Sequence, residues 1–417
     1  MPSWSTEHPL GESEMMEKRE GLLPMLRIID LADETASFCS KLFADLGAQV
    51  IKVEKPGGDP SRQVGPFLKN PPSPEGSLSF WYNNTNKRGI TLDIGHPEGR
   101  KIFLRLVQET DIVIETFPPG HLDRLGLEFS ALTKANPRMI LVSVTPFGQE
   151  GPRKSYKSCD LVTSAFGGQM FVTGSPSAPP LHPFGSQSYF TGSLFAAIAI
   201  LLALQKRSRT GRGDHITISL QEAAVSTLDH VMVRYFYGGE IAKRQGSLSW
   251  NRSSFILPCK DGFIYLTLFP RWQTLVEWMA SEGMAEDLTG KEYESETYRQ
   301  ENIQHIMDVM QRWTATHSSQ ELFEIGQALQ FPWAPIYSPQ RVMENPQLRA
   351  RGFFKDVDHP ELGTTLEYPG LPYRFGQAPS VPMKRAPSPG EDNLRIYRDE
   401  LGLSEKEIDG LSSMKII

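Results

Sequence analysis

The chain has 417 residues, of which 39% are hydrophobic and 22% are charged, and its formal net charge is −6. A soluble globular protein of this length is expected to form two domains, or one large domain with an insertion. The acidic balance argues against a nucleic-acid partner, and three scattered cysteines (Cys39, Cys159 and Cys259) match neither a disulfide framework nor a zinc site.

Residues 1–24 carry Pro, Ser, Glu and Gly without a clear period and are predicted to form a mobile extension. They lack the basic start and apolar run of a secretory signal, so a cytoplasmic protein is expected. A strand over residues 26–31, a helix over 36–45 and a strand over 49–54 follow. This order predicts a β-α-β unit with parallel strands and a right-handed crossover.

The alternation continues through residue 144. Strands are predicted over residues 88–93, 111–115 and 139–144, and helices over residues 97–108 and 129–134. Such alternation indicates a parallel, Rossmann-like α/β sheet covered on both faces, whose ligands lie beyond the carboxyl ends of the strands. No G-x-G-x-x-G follows the first strand, so the dinucleotide fingerprint is absent.

The second half of the chain begins with an apolar helix predicted over residues 186–205. Its most apolar stretch, residues 194–204, is shorter than the roughly 20 residues of a membrane span, so a buried helix and no membrane partner are expected. Four segments are predicted: an extension, the first part of a large domain, a smaller α+β domain, and a return to the large domain. They cover residues 1–24, 25–235, 236–335 and 336–417, respectively.

Short motifs occur in a fixed order between residues 26 and 380. They are LGAQVIKVEKP (46–56) with GDPSR (58–62), NKRGITLD (86–93) with PEGR (97–100), DIVIETFPPG (111–120) with RLGL (124–127) and NPR (136–138), and TGRG (210–213), followed by NP (345–346), RG (351–352), HP (359–360) and PGLP (369–372). Together they resemble the class III CoA-transferases, the CaiB/BaiF family of formyl-CoA transferases, carnitine CoA-transferases and acyl-CoA racemases.

The resemblance implies a large domain built from both chain ends, a small domain, and two protomers interlocked like links of a chain. It implies coenzyme A or an acyl-CoA as substrate, bound on the large domain, and no metal. The matching positions nominate Lys55, Leu92, Thr116, Phe117, Arg124 and Lys157. Lysine and the planar guanidinium of arginine suit phosphate groups, and an aromatic ring suits adenine. The family often has asparagine where Thr116 stands.

The catalytic aspartate of the family is missing. In the transferases this carboxylate attacks the acyl-CoA thioester and forms covalent intermediates. Counting back from the TGRG turn places Tyr189 or Ser188 at its position, and residues 161–213 contain no Asp or Glu. Asp160 and Cys159 are the weak remaining candidates. The histidine of the racemase branch also matches Cys159, and a glutamine that the transferases use matches Thr35.

Three hypotheses follow. The first is a subunit of a heteromeric class III CoA-transferase whose paralogous partner carries the aspartate. Succinyl-CoA is then a candidate donor, and an aromatic succinate such as benzylsuccinate is a candidate acceptor. The second is a stand-alone enzyme with altered chemistry that uses Cys159 or Asp160, and the third is an acyl-CoA binding protein without turnover. Aromatic residues suited to an aromatic acid pocket, or alternatively to a core or interface, are His182, Phe184, Tyr189, Phe190 and Trp250.

Overall fold

The computed structural model describes residues 21–69, 73–268, 271–377 and 380–417. Of the predicted extension over residues 1–24, residues 1–20 therefore lie outside the described residues. The chain divides into two compact units. The described part of the large unit covers residues 21–167, 184–228 and 352–417, and the small unit covers residues 168–183 and 229–351 within the described ranges.

The large unit contains a six-stranded parallel sheet. Its strands are β1 Arg27–Leu31, β2 Gln49–Glu54, β3 Arg88–Thr91, β4 Ile112–Glu115, β5 Ile140–Thr145 and β6 His215–Ser219. Their order across the sheet is β3-β2-β1-β4-β5-β6, and every neighbouring pair is parallel. The predicted parallel α/β sheet is therefore confirmed.

Helices cover both faces of this sheet. In the large unit they are α1 Ser37–Asp45, α2 Leu78–Asn83, α3 Pro97–Gln108, α4 His121–Arg124, α5 Phe129–Ala135, α6 Asp160–Phe166, α8 Gln187–Thr210, α9 Leu220–Ser226 and α17 Glu405–Ser413. Successive strand residues point to opposite faces, so Ile28 packs in the core under α1 and α8 while Ile29 packs in the core under α3 and α17. The tail adds a two-stranded antiparallel ribbon, β10 Phe354–His359 and β11 Thr364–Pro369, and a π-helix, Arg395–Glu400.

Glycine is required where the TGRG turn passes the start of β5. A Cβ atom at Gly213 would lie 1.8 Å from the carbonyl oxygen of Met139, a distance that no side chain tolerates. The turn can therefore pass directly from α8 into β6 only with glycine at this position.

Helix α8 has two different faces. The residues that face the sheet and α9 are mostly small or polar, as at Gly192, Ser193 and Ala196, with Ile200 as a larger apolar residue, and they are buried. The opposite face carries large apolar side chains, which are 40–61% exposed: Leu194, Phe195, Ile198, Leu201 and Leu202. The predicted buried helix is therefore wrong for this outer face. The helix has 24 residues and by length and hydropathy alone would also pass as a membrane span, but its inner face packs as the core helix of an α/β unit.

The small unit has its own sheet and core. Three antiparallel strands, β7 Ser254–Cys259, β8 Gly262–Thr267 and β9 Ala334–Pro335, lie in the order β7-β8-β9. Its helices are α7 Gln169–Val172, α10 Asp229–Gly238, α11 Trp272–Ser281, α12 Glu296–Glu301, α13 Ile303–Thr314, α14 Ser319–Ala328, α15 Pro339–Met343 and α16 Pro346–Ala350. Trp313 and Trp333 are among the buried residues at its centre.

The observed division of the chain differs from the predicted boundaries at 236 and 335 in three places, the first of which is that the main segment of the small unit begins at residue 229 rather than 236. Residues 168–183 join the small unit because the Arg244 guanidinium donates hydrogen bonds to the carbonyls of Phe171, Ser175 and Ala178. The return to the large unit comes at residue 352 rather than 336, because Arg341 on α15 pairs with Asp261 in the β7–β8 turn.

Candidate active site

An aromatic pair lies at the carboxyl edge of the parallel sheet, in the loop after β4. The Phe117 and His121 rings have centroids 4.6 Å apart and planes inclined by 33°. Phe117 also packs against the core under α3. Gly120 makes the turn between the two rings possible, because its backbone is left-handed, with a φ of 76°.

Two cations flank this pair. Burial, and then the nearby charges of Arg124 and Lys55, lower the pKa of His121 below its usual value. Lys55 follows β2, Arg124 ends α4, and both side chains are exposed. The structure thus brings together three of the nominated residues, Lys55, Phe117 and Arg124, and adds His121, which no motif had singled out. An aromatic pair with two cations nearby suits a purine ring that carries phosphates.

Two other nominated residues are already engaged within the protein. The Thr116 hydroxyl donates to Asp33 Oδ1 and accepts from the Asp33 amide, at 3.0 Å in both cases, so it ties the end of β4 to the loop after β1. Leu92 is 1% exposed in the core under α3. The nomination of Leu92 is therefore corrected for its side chain, since a buried apolar side chain cannot reach a bound molecule.

Lys157 lies in another part of the edge, on the exposed loop between β5 and α6. Arg153 and Lys154 share this loop, and the Arg153 guanidinium lies over the Phe166 ring at 5.0 Å. Three cations within five residues give the loop a positive charge, which suits a second phosphate position.

Ser188 lies in the first turn of α8 and is hydrogen-bonded to Asp160, the first residue of α6, and both residues are buried. The Asp160 carboxylate oxygen Oδ1 accepts hydrogen bonds from the Ser188 amide at 2.9 Å and from the Ser188 hydroxyl at 2.5 Å. The Thr163 hydroxyl lies 2.7 Å from that of Ser188, and Ser188 is fully buried. These contacts assign Ser188 and Asp160 a structural role, and the candidacy of Asp160 as nucleophile is corrected because its carboxylate is buried and bonded to the helix start.

Tyr189 is the other residue that counting back from the TGRG turn places at the nucleophile position. Its ring packs on the core under α1 and α8, and burial together with Glu34, Asp160 and Asp33 raises the pKa of its hydroxyl. A hydroxyl that holds its proton this firmly is a poor nucleophile. Cys159 is exposed beside it, at the start of α6. Glu34, next to Thr35 in the loop after β1, also lies near Tyr189. Burial raises the pKa of Glu34.

The candidate aromatic residues are divided between the two units. Phe190 contacts Phe38 edge to face, with ring centroids 4.8 Å apart, whereas Phe184 is 97% exposed. In the small unit Trp250 stacks on His230 at 4.5 Å, and His182 also belongs to that unit. Among the residues that the structure describes, no group of three or more His, Cys, Asp or Glu side chains is arranged to hold a metal ion.

Comparisons with known proteins identify the family. The sequence model of CoA-transferase family III matches residues 23–393. The chain is 34% identical over 398 residues to the succinyl-CoA:(R)-benzylsuccinate CoA-transferase subunit BbsE of Thauera aromatica, covering 93% of this chain and 96% of that protein. It is 30% identical to the succinyl-CoA–L-malate CoA-transferase beta subunit of Chloroflexus aurantiacus, covering 94% of this chain and 97% of that protein.

The fold points to the same family. A CAIB/BAIF family protein from Brucella suis superposes with a TM-score of 0.81 at 29% identity, over 90% of this chain and 99% of that structure. The likeness in fold agrees with the match of the family's sequence model, which covers most of the chain. The protein therefore belongs to CoA-transferase family III, whose members act on CoA thioesters.

Proposed function

We propose that this chain is the subunit of a heteromeric family III CoA-transferase that lacks the nucleophile, and that a paralogous partner supplies the aspartate. The observation that carries the proposal is a contrast within one sheet edge. Phe117, Arg124 and Lys55 lie together, whereas Tyr189, one of the two residues expected at the nucleophile position, has a firmly bound proton. Two of the similar proteins are themselves named as subunits.

In the proposed reaction this chain binds CoA while the partner performs the covalent steps. The partner's carboxylate attacks the acyl-CoA carbonyl, which forms a mixed anhydride and releases the CoA thiolate. The thiolate then attacks the aspartyl carbonyl, which gives an aspartyl-CoA thioester and frees the acyl group as its carboxylate. The acceptor carboxylate attacks the aspartyl-CoA thioester and displaces the CoA thiolate, which gives a mixed anhydride of the acceptor and the aspartate. The thiolate then attacks the acceptor carbonyl of this anhydride, which gives the new acyl-CoA and restores the aspartate.

The proposed donor is succinyl-CoA and the proposed acceptor is an aromatic succinate such as benzylsuccinate, as in anaerobic toluene degradation. The name of the Thauera aromatica relative supports this choice. We place the reaction in the cytoplasm and the adenosine and phosphates of CoA on the large unit.

The outer face of α8 supports an interlocked dimer. Five large apolar side chains form a stripe along it, including Phe195, Ile198 and Leu202. Exposed apolar patches of this kind mark protein interfaces, and a second chain of the same fold is the partner that the proposal provides.

Co-expression tests the proposal. This chain and a paralogue with an aspartate ahead of its TGRG turn are expected to co-purify as a dimer or higher heteromer, and the complex is expected to be active with succinyl-CoA. Each chain alone is expected to be inactive, and an Asp→Asn variant of the paralogue should still assemble without activity. Full activity of the lone chain would refute the proposal.

Arg124→Ala tests the CoA surface. Loss of a guanidinium–phosphate contact costs about 1.5–3 kcal/mol, so the affinity of the complex for CoA should fall about 10- to 100-fold in calorimetry. Lys206→Ala is the matched control. Lys206 is an exposed cation near the end of α8, and because α8 leads into the start of β6, Lys206 lies at the edge of the sheet opposite to Arg124. Equal affinities of the two variants would exclude Arg124 from the site.

One observation favours a second candidate, a stand-alone enzyme. Glu34 lies near Tyr189 and its pKa is raised, mainly by burial and by Asp33. A carboxylate from the β1 loop would then act where the α8 aspartate acts in the family. This alternative predicts that the lone chain is active and that Glu34→Gln abolishes that activity, whereas a lone chain without activity excludes it.

A further inference from the structure

Three polar side chains from neighbouring strands form a chain of contacts behind the loop of Phe117, in which Glu115 and Ser143 are buried and His215 is exposed. Glu115 ends β4 and is 3% exposed, and its Oε2 accepts a hydrogen bond from the Phe117 amide at 2.6 Å. Ser143 on β5 is hydrogen-bonded to Glu115, and its hydroxyl lies 3.0 Å from His215 Nε2 at the start of β6. The chain of contacts thus runs from the ligand-facing loop across three strands.

The same three residues line a small cavity beneath the loop. Its volume is about 40 Å³, and its other walls include His121 and Gln149. A cavity of this size holds a water molecule when polar groups face it. Glu115 is therefore buried away from bulk solvent but keeps a place from which a proton can arrive.

Two arrangements of the hydrogen bonds are possible, and they differ by one proton. When Glu115 is ionised it only accepts, so Ser143 donates to it and His215 donates its Nε2 proton to Ser143. When Glu115 is protonated it can donate to Ser143, which then donates to an unprotonated Nε2. Burial raises the pKa of Glu115 to about 7, so both arrangements occur near neutral pH.

We propose that Glu115, Ser143 and His215 are positioning residues for CoA, which hold the main chain of Phe117 firmly when Glu115 is ionised and less firmly when it is protonated. This inference rests on the proposed function, since CoA is the ligand that the loop would hold. A charged acceptor makes a hydrogen bond about twice as strong as a neutral one. The Phe117–His121 pair is therefore better fixed for an incoming ring when Glu115 is ionised.

The charged groups around Glu115 determine the pH window. Asp123 and Asp33 add to its raised pKa, and Glu128 is a further carboxyl group that lines the cavity. His121 acts in the opposite sense, because its protonation would attract phosphate. Burial, Arg124 and Lys55 hold the pKa of His121 below its usual value, and burial also lowers that of His215. The effect of Glu115 should therefore appear first as the pH falls.

Two measurements on the full chain test the inference. Calorimetry with CoA between pH 6 and 8.5 is expected to show an affinity that falls about 5- to 10-fold as the pH drops through 7. Hydrogen–deuterium exchange of the peptide over residues 116–124, corrected for intrinsic rates, should lose protection over the same interval. Glu115→Gln keeps an acceptor for the Phe117 amide but has no proton to gain, so both profiles should become flat.

Two further variants define the role of the chain of contacts. Ser143→Ala should move the midpoint to higher pH, because the Ser143 hydrogen bond lowers the pKa of Glu115. Glu128→Gln, which changes another carboxyl group of the same cavity, should keep the wild-type profiles. A Glu115→Gln variant that follows the wild-type pH profile, or a wild-type loop whose exchange does not change with pH, would overturn the inference. If the chain bound no CoA at any pH, the proposed function would fail, but the exchange profile would still decide the positioning role.

Discussion

Asp30→Ala is expected to lower the free energy of unfolding by about 3–5 kcal/mol, since it removes one partner from a buried ion pair. Asp30 is fully buried in β1, and its carboxylate accepts hydrogen bonds from Lys87 Nζ at 2.8 Å and from the Ser40 hydroxyl at 2.7 Å. Burial alone would raise the pKa of Asp30, but Lys87 and Lys52 outweigh it and hold the pKa below its usual value. Alanine would leave the Lys87 ammonium buried without a counter-charge.

The pH dependence of this loss distinguishes a lost charge from a lost packing contact. Burial already lowers the pKa of Lys87 to about 8 in the intact protein, and removal of Asp30 lowers it further. Lys87 of the variant would then become neutral within the folded state as the pH rises towards 8, so the deficit relative to wild type should shrink between pH 6 and 8. Urea unfolding of wild type and variant between pH 6 and 8 measures this deficit. Ser40→Ala, which removes a neutral donor to the charged carboxylate, should cost about 1.5–3 kcal/mol with no such change between pH 6 and 8. The same pH-dependent loss in both variants would contradict the account.

Glu115→Gln is expected to have the opposite effect and to stabilise the protein at alkaline pH. The folded-state pKa of Glu115 is raised from 4.5 to about 7, mainly by burial. Between these values the folded chain holds a proton that the unfolded chain has released, so the stability of wild type falls as the pH rises from about 4.5 through about 7. Because one pKa unit corresponds to about 1.4 kcal/mol, the variant should be more stable by up to about 3 kcal/mol at pH 8.

Paired unfolding curves measure this effect. The two proteins should have similar stabilities near pH 4.5, diverge up to about pH 7, and stay at a constant difference above it. Parallel curves at all pH values would show that Glu115 does not carry a raised pKa. If the loop of the Glu115→Gln variant also loses its pH dependence, the result would mean that the group that makes the CoA site proton-dependent lowers the stability of the protein.

The sheet could be predicted from the sequence because its signals are local. Apolar β-branched strands, the proline at the start of α3 and the glycine after α1 each specify their own segment. Helix α3 occurs over Pro97–Gln108, as predicted, and five predicted strands agree with the observed ones within about two residues. The exposed face of α8 could not be predicted, because an apolar stripe looks the same in a core and at an interface.

The site was less predictable because its contacts join distant segments. Counting from the TGRG turn left Ser188 and Tyr189 as alternatives, and the contacts that bury Ser188 depend on how α8 is rotated against Asp160 and Thr163. The contact between Ser143 and His215 spans 72 residues and depends on the pairing of β5 with β6. Phe117 and His121 are four positions apart, on either side of a turn. An aromatic residue and a histidine at this spacing would have been the sequence signal for their contact.

Intact-mass spectrometry of the purified heteromer tests the central claim most directly. The complex is incubated with succinyl-CoA, quenched, and each chain is weighed separately, with the partner's Asp→Asn variant as the control. The account predicts a CoA or acyl adduct on the partner chain alone, and none on either chain in the control. An adduct on this chain, at Glu34, Cys159 or any other residue, would contradict it.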